Sequence, residues 1–220
     1  MTHPSQLSVQ RIVIVGAGGF GREVLQWARA AWPEAATHIA GFLSADPRIL
    51  AGHACPLPVI GDPATFEPEP EDGLLLAIGI PCIRRRVAEL LLGRGAEFLT
   101  LIHPTAIVVP TARIGTGAIV CPQAIVSDSA TLGRFALVNY HASVAHDASV
   151  GDFAVLSPYA TLAGGAHVGD DAFLGLHASV GPGVSVGPRS KVAANSCALA
   201  DTPADSLVHG VPGRITPLLS

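Results

Sequence analysis

Five of the nine histidines, His103, His141, His146, His167 and His177, fall between residues 102 and 192. An imidazole is the side chain best suited to take and return a proton near neutral pH. His146 is followed by Asp147, Asp128 stands eighteen residues before it and Gly164 eighteen after it. An acid in either place could orient the ring and stabilise its protonated form. For His141, His167 and His177 simple solvation is the expectation, and for His103 a capping role at the start of that stretch. A second group of residues offers different chemistry. Gly16, Gly18 and Gly21 keep the G-x-G-x-x-G spacing, with Gly19 and Phe20 between them, after the apolar run RIVIV at 11–15 and before a helical pattern at 22–31 that stops near Pro33. In the order strand, glycine turn, helix, such glycines let a phosphate approach the backbone and meet the free N–H groups of the helix.

The elements that must hold these residues follow from periodicity. Every sixth residue from Ile102 to Val192 is aliphatic, and every sixth residue from Ala106 to Ala178 is alanine. Six fits neither the 3.6 of a helix nor continuous alternation at two. It predicts short strands with one large residue inward, joined at tight corners that admit only a small residue. Three strands close a triangular coil of eighteen residues, so this span makes about five coils stacked at the ordinary strand spacing. Residues eighteen apart then share a corner, which places Asp128, His146 and Gly164 in one column. The period does not fix the hand, and the general rule for parallel crossovers favours right-handed. Before the repeats, further strands are expected near 38–43, 74–78 and 97–101, with a helix at 83–92 and a proline-rich linker at 56–70. The reading is a small Rossmann-like α/β domain over residues 1–101, followed by a parallel β-helix of hexapeptide repeats with a C-terminal tail over 102–220.

Composition agrees with that division and excludes several function classes. The chain is 49% hydrophobic but only 5% aromatic, so its core must be layered from small and branched side chains. A net charge of −4 without a basic cluster gives no footprint for nucleic acid or anionic lipid. Cys55, Cys82, Cys121 and Cys197 stand singly, as reduced thiols do in a cytoplasm. The first ten residues lack the pattern of a secretory leader, and no run approaches a membrane span. A cytoplasmic protein is expected.

The hexads RIGTGA, SVGDFA, HVGDDA, SVGPGV and SVGPRS, with the late HGVPGR at 209–214, resemble the hexapeptide-repeat acyltransferases. Together with IVIVGAGGFGREV, GFLSADP, VIGD, the AIG and RRR segments and LIHPTAIV, they resemble one subfamily across almost the whole chain. It is that of the bacterial sialic acid O-acetyltransferases and UDP-4-amino-sugar N-acetyltransferases. The resemblance implies a left-handed β-helix and a homotrimer with acetyl-CoA in the groove between subunits. It further implies transfer of an acetyl group to an amino, or alternatively a hydroxyl, group of a nucleotide-linked sugar. On the stretch VNYHASVAHDASVGDF it implies His146 as general base, Asp147 as its adjacent acid and Asn139 as a polar site residue. Gly164 and Gly165 would make room for the cofactor, with the Gly164 N–H near the thioester carbonyl. In the first domain Gly16, Gly18, Gly19 and Gly21 would approach the diphosphate, Phe20 would belong to the same substrate site, and Asp46 would face the base or ribose. This chain has Phe20 where the family usually has His, Ser44 and Ala45 where it often has two acids, and Val155 where it sometimes has a second His.

Three rival readings remain in view. Gamma-class carbonic anhydrases share the β-helix and the H-x4-H spacing of His141 and His146, but their third zinc ligand would fall at 105, which is Thr105. No metal is therefore expected. A nicotinamide oxidoreductase would use the glycine turn with Asp46, yet about 100 residues are too few for two mononucleotide halves. A non-catalytic trimeric binding module would leave His146 inert.

Overall fold

The computed structural model describes residues 9–218. Contacts divide the chain into two compact units, Met1–Gly79 with Ile83–Leu101, and Ile80–Cys82 with Ile102–Ser220.

In the first unit, β1 (Arg11–Val15), β2 (Ile39–Leu43), β3 (Val59–Gly61), β4 (Asp72–Leu76) and β5 (Glu97–Phe98) form one parallel sheet in the order β3-β2-β1-β4-β5. Helices α1 (Gly19–Ala31) and α2 (Pro81–Leu92) supply crossovers, as parallel strands require. Strands β1 and β4 are buried almost throughout, which is why residues 12–15 and 74–76 read as continuous apolar runs rather than alternating ones. Two expectations need correction. Strand β3 lies inside the segment read as a proline-rich linker; its three residues are too short to carry a period. Helix α1 begins three residues before the expected 22, because Gly19, Phe20 and Gly21 form its first turn.

From Leu101–Ile102 to Cys197–Ala198 each strand is two residues long and pairs in parallel with the strand eighteen residues away, as Ile125 does with Ser143 and Ser143 with Thr161. Three sheets result. Face I holds six strands, Ile107–Val108 to Cys197–Ala198; face II holds five, Arg113–Ile114 to Ser185–Val186; face III holds eight, from Leu101–Ile102 up to Ser206–His209 and Arg214–Pro217. Their number makes about six coils rather than five, because pairing continues past Val192. The last coil is two residues short: Lys191 pairs with Leu207, sixteen residues on, and Arg214–Pro217 closes the sheet antiparallel.

The alanines are not at the corners. Each lies two residues before an aliphatic on the same side of the chain, so Ala142 with Val144 and Ala148 with Val150 point into one buried core. Corners are turned instead by a residue in left-handed backbone, such as His141, Asp147, Tyr159 and His177, with φ of 55–62°. That conformation is disfavoured for side chains other than Gly, Asn and Asp. A ladder offsets the cost: Asp147 N–H donates to the Asp128 carbonyl, and Gly165 N–H to that of His146. The preceding corner residue donates to no such ladder, which is why proline is tolerated there at 122, 158, 182 and 188.

Candidate active site

The corner between faces I and II carries the first candidate site. Strands Ser143–Val144 and Ser149–Val150 bracket it, and their buried valines fix it to the core. His146 and Asp147 form its tip, each side chain 66% exposed. His146 Nδ1 lies 2.8 Å from Asp147 Oδ2. The carboxylate therefore holds the proton on Nδ1 and leaves the Nε2 lone pair free to accept another.

Gly164, one coil on, explains where Nε2 points. A Cβ built on Gly164 would sit 2.5 Å from His146 Cε1 and 2.6 Å from Nε2, so the imidazole occupies space that only glycine leaves open. Gly165 follows with φ +66°, its N–H committed to the His146 carbonyl. Among the described residues the Gly164 N–H meets no backbone acceptor, so of the two amides it is the one able to meet an oxyanion beside Nε2.

The two acids are not equivalent. Asp128 is in the predicted column, but its Oδ1 accepts from Thr111 Oγ1 at 2.5 Å and its Oδ2 from Ser129 Oγ at 3.2 Å. Asp147 alone of the pair holds the imidazole. Asn139 is not at this corner. It lies one strand earlier, at the corner between faces III and I, where its Oδ1 accepts from Tyr140 N–H at 2.8 Å. The same corner carries His141, Tyr159 and His177 in a stacked column with ring centroids 4.7 and 4.6 Å apart. Val155 is buried and contributes packing. His103, at the foot of the helix, places Nδ1 2.9 Å from Thr105 Oγ1, and burial pulls its pKa below the ordinary value. Among the described residues no three His, Cys, Asp or Glu side chains gather as metal ligands.

The glycine turn of the first unit is a second candidate site, and its glycines divide by role. Gly16, at φ +111°, passes so close to β4 that a Cβ would lie 2.5 Å from the Ala77 carbonyl oxygen, and a Cβ on Gly21 would strike the Gly16 carbonyl. These two permit the turn. Gly18 has no atom within 4 Å of its would-be Cβ, and Gly19 only the tip of Arg22. Gly18 caps α1 without a side chain, and the first intrahelical bond runs from Arg22 N–H to the Gly18 carbonyl. The amides of Gly19, Phe20 and Gly21 are thus left for a ligand.

A cleft of about 540 Å³ runs along α1, lined by Gly19, Phe20, Arg22, Glu23, Gln26, His53 and Ala54. Burial pushes the Glu23 carboxyl up, with Arg22 opposing the shift. Asp46 is not part of this lining. Its Oδ1 accepts from Arg48 N–H at 2.9 Å in the turn after β2. Sequence reasoning missed Glu23 and Gln26, although their spacing from Gly19 puts all three on one helical strip; nothing local marks His53. It also missed Arg84, fully buried, whose Nη1 donates to the Leu76 and Ile78 carbonyls at the end of β4.

Residues 11–91 match the PglD N-terminal domain family. Among solved structures, the chain is 33% identical to PerB from Caulobacter crescentus in complex with CoA and GDP-perosamine. That match has a TM-score of 0.82 and covers 94% of this chain and 97% of that one. A histidine-to-asparagine mutant of perosamine N-acetyltransferase from the same organism, also with CoA and GDP-perosamine, is 31% identical over 94% and 96% of the two chains, TM-score 0.84. The acetyltransferase domain of PglB from Neisseria gonorrhoeae, in complex with acetyl coenzyme A, is 28% identical over 94% and 100%, TM-score 0.83. No curated protein sequence matches the chain significantly.

Proposed function

Because the chain belongs to the family of bacterial sialic acid O-acetyltransferases and UDP-4-amino-sugar N-acetyltransferases, with its left-handed β-helix, we propose that it is an acetyl-CoA-dependent N-acetyltransferase of a nucleotide-linked 4-amino sugar. One observation carries the residue assignment. A His146–Asp147 pair aims its free nitrogen across Gly164, where any side chain would displace the ring. A histidine is also the residue replaced in the mutant perosamine N-acetyltransferase.

Transfer from a thioester to an amine needs a base for the amine proton and a donor for the oxyanion. His146 Nε2 takes the proton as the nitrogen attacks, Asp147 stabilises the imidazolium, and the Gly164 N–H faces the developing oxyanion. No covalent enzyme intermediate is needed. Gly164 and Gly165 leave the corner without side chains where the pantetheine arm and thioester must pass. In the first unit the amides of residues 19–21 hold the diphosphate, with Gly18 and Gly19 leaving its approach open and Gly16 and Gly21 shaping the turn. Phe20 flanks the ligand, and Asp46 stands beyond β2 toward the ribose.

The protein acts as a homotrimer packed about face I. The outward residues of that face, Ile107, Ile125, Ser143, Thr161, Ser179 and Cys197, include no charge. Apart from the terminal hairpin, the exposed large apolar side chains of the β-helix lie on it or at its edges: Ile107, Ile125, Tyr159, Leu176 and Leu199. Three prisms turned with face I toward a common axis set the His146 edge of one against the Asn139 edge of the next. Asn139 then serves the neighbour's site, which accounts for its distance from His146 along its own chain. The cytoplasm is the compartment this reading implies, since it supplies acetyl-CoA and keeps the four thiols reduced. Among the described residues no helix is long and apolar enough to cross a membrane.

The test is a screen of UDP-, GDP- and dTDP-linked 4-amino sugars and free sialic acids with acetyl-CoA, following CoA thiol release. A nucleotide-linked amine should be acetylated in preference to free sialic acid. Release with free sialic acid alone would move the chain to the O-acetylating branch.

A further inference from the structure

The cleft along α1 changes chemistry along its length. At one end are the open backbone of Gly18 and Gly19 and the helix amides, with the Arg22 guanidinium beside them, a set suited to phosphate. Glu23 and Gln26 follow on the same strip. A rise of 1.5 Å per residue puts them roughly 6 and 10 Å beyond Gly19, comparable with the reach of a nucleoside from its phosphate to its base. Phe20 and His53 add flat rings, and Phe20 is held edge-on by Trp27 with centroids 5.8 Å apart.

The bases ask different things of a carboxylate and a carboxamide set side by side. Guanine presents N1–H and its 2-amino group together, two parallel donors that one carboxylate accepts at once, with O6 adjacent for an amide N–H. Uracil and thymine place a single N–H between two carbonyls, so a carboxylate there faces acceptors. Adenine sets an acceptor, N1, beside its amino group.

We propose that Glu23 and Gln26 read guanine in this cleft, so that the acceptor is a GDP-linked amino sugar. The assignment rests on the nucleotide-sugar reading above. It is tested by titrating GDP, IDP and UDP into the full chain in a calorimeter. Wild type should bind GDP most tightly, IDP more weakly for want of the 2-amino group, and UDP weakest. Glu23→Gln should weaken GDP about 10- to 100-fold, the worth of one bidentate base contact, while UDP binding and melting temperature stay unchanged. UDP binding at least as tight as GDP, or GDP binding untouched by Glu23→Gln, overturns the guanine assignment and leaves acetyl transfer intact. If none of the three binds while His146-dependent transfer to a free sugar proceeds, the nucleotide-sugar reading fails instead.

Discussion

Two nitrogens of one imidazole divide the work at the His146 corner: Nδ1 is tied to Asp147, and Nε2 faces Gly164. His146→Ala should therefore lower kcat by about 10²- to 10⁴-fold with little change in acetyl-CoA affinity. Asp147→Asn should lower kcat and shift its pH profile, whereas Asp128→Asn should stay near wild type, because its carboxylate serves Thr111 and Ser129. Steady-state kinetics across pH separates the two acids; a larger loss at Asp128 would sink the assignment. Gly164→Ala tests the same corner from the other side. Its Cβ must push the imidazole away, and a displacement of about 1 Å from the reacting geometry costs on the order of 100-fold in rate. Melting temperature should hardly move, since the displaced ring is exposed and free to swing into solvent.

At the scale of elements, the glycine turn makes a paired prediction. Gly21→Ala drives a methyl into the Gly16 carbonyl and should destabilise the first unit by about 1–3 kcal/mol, the usual cost of overpacking. Gly18→Ala meets nothing and should leave thermal stability unchanged while weakening nucleotide binding. Equal melting temperatures for the two variants would contradict this division. Helix α1 and the β-helix were legible because each repeats a pattern long enough to count, and β1 because its apolar run leads straight into the glycine turn. Strand β3 was not, since three residues cannot show a period. The alanine row was seen but misplaced: a small residue every sixth position fits a corner as well as a core, and only parity with the aliphatic two residues on decides. The choice between Asp147 and Asp128 depends on side-chain directions at a left-handed corner, which an eighteen-residue count does not contain. The last coil escaped because a two-residue deletion breaks the count at its end.

For the whole molecule, light scattering should give the mass of three chains at working concentration. Ser143→Arg, on uncharged face I, should shift the protein toward monomers and, if Asn139 and His146 are shared across copies as proposed, lower activity with them. A monomeric variant with full turnover would refute the shared site. The closing strand carries a different consequence. A parallel solenoid ends on unpaired N–H and C=O groups that match the bottom of the next molecule, an invitation to stack without limit. Here Arg214–Pro217 runs antiparallel over Ser206–His209, and Pro217 has no N–H to offer a newcomer. That reversal acts as a chain terminator for assembly. A chain cut before Arg214 should keep its lower coils yet polymerise end to end, giving filaments under the electron microscope where the intact protein gives discrete particles.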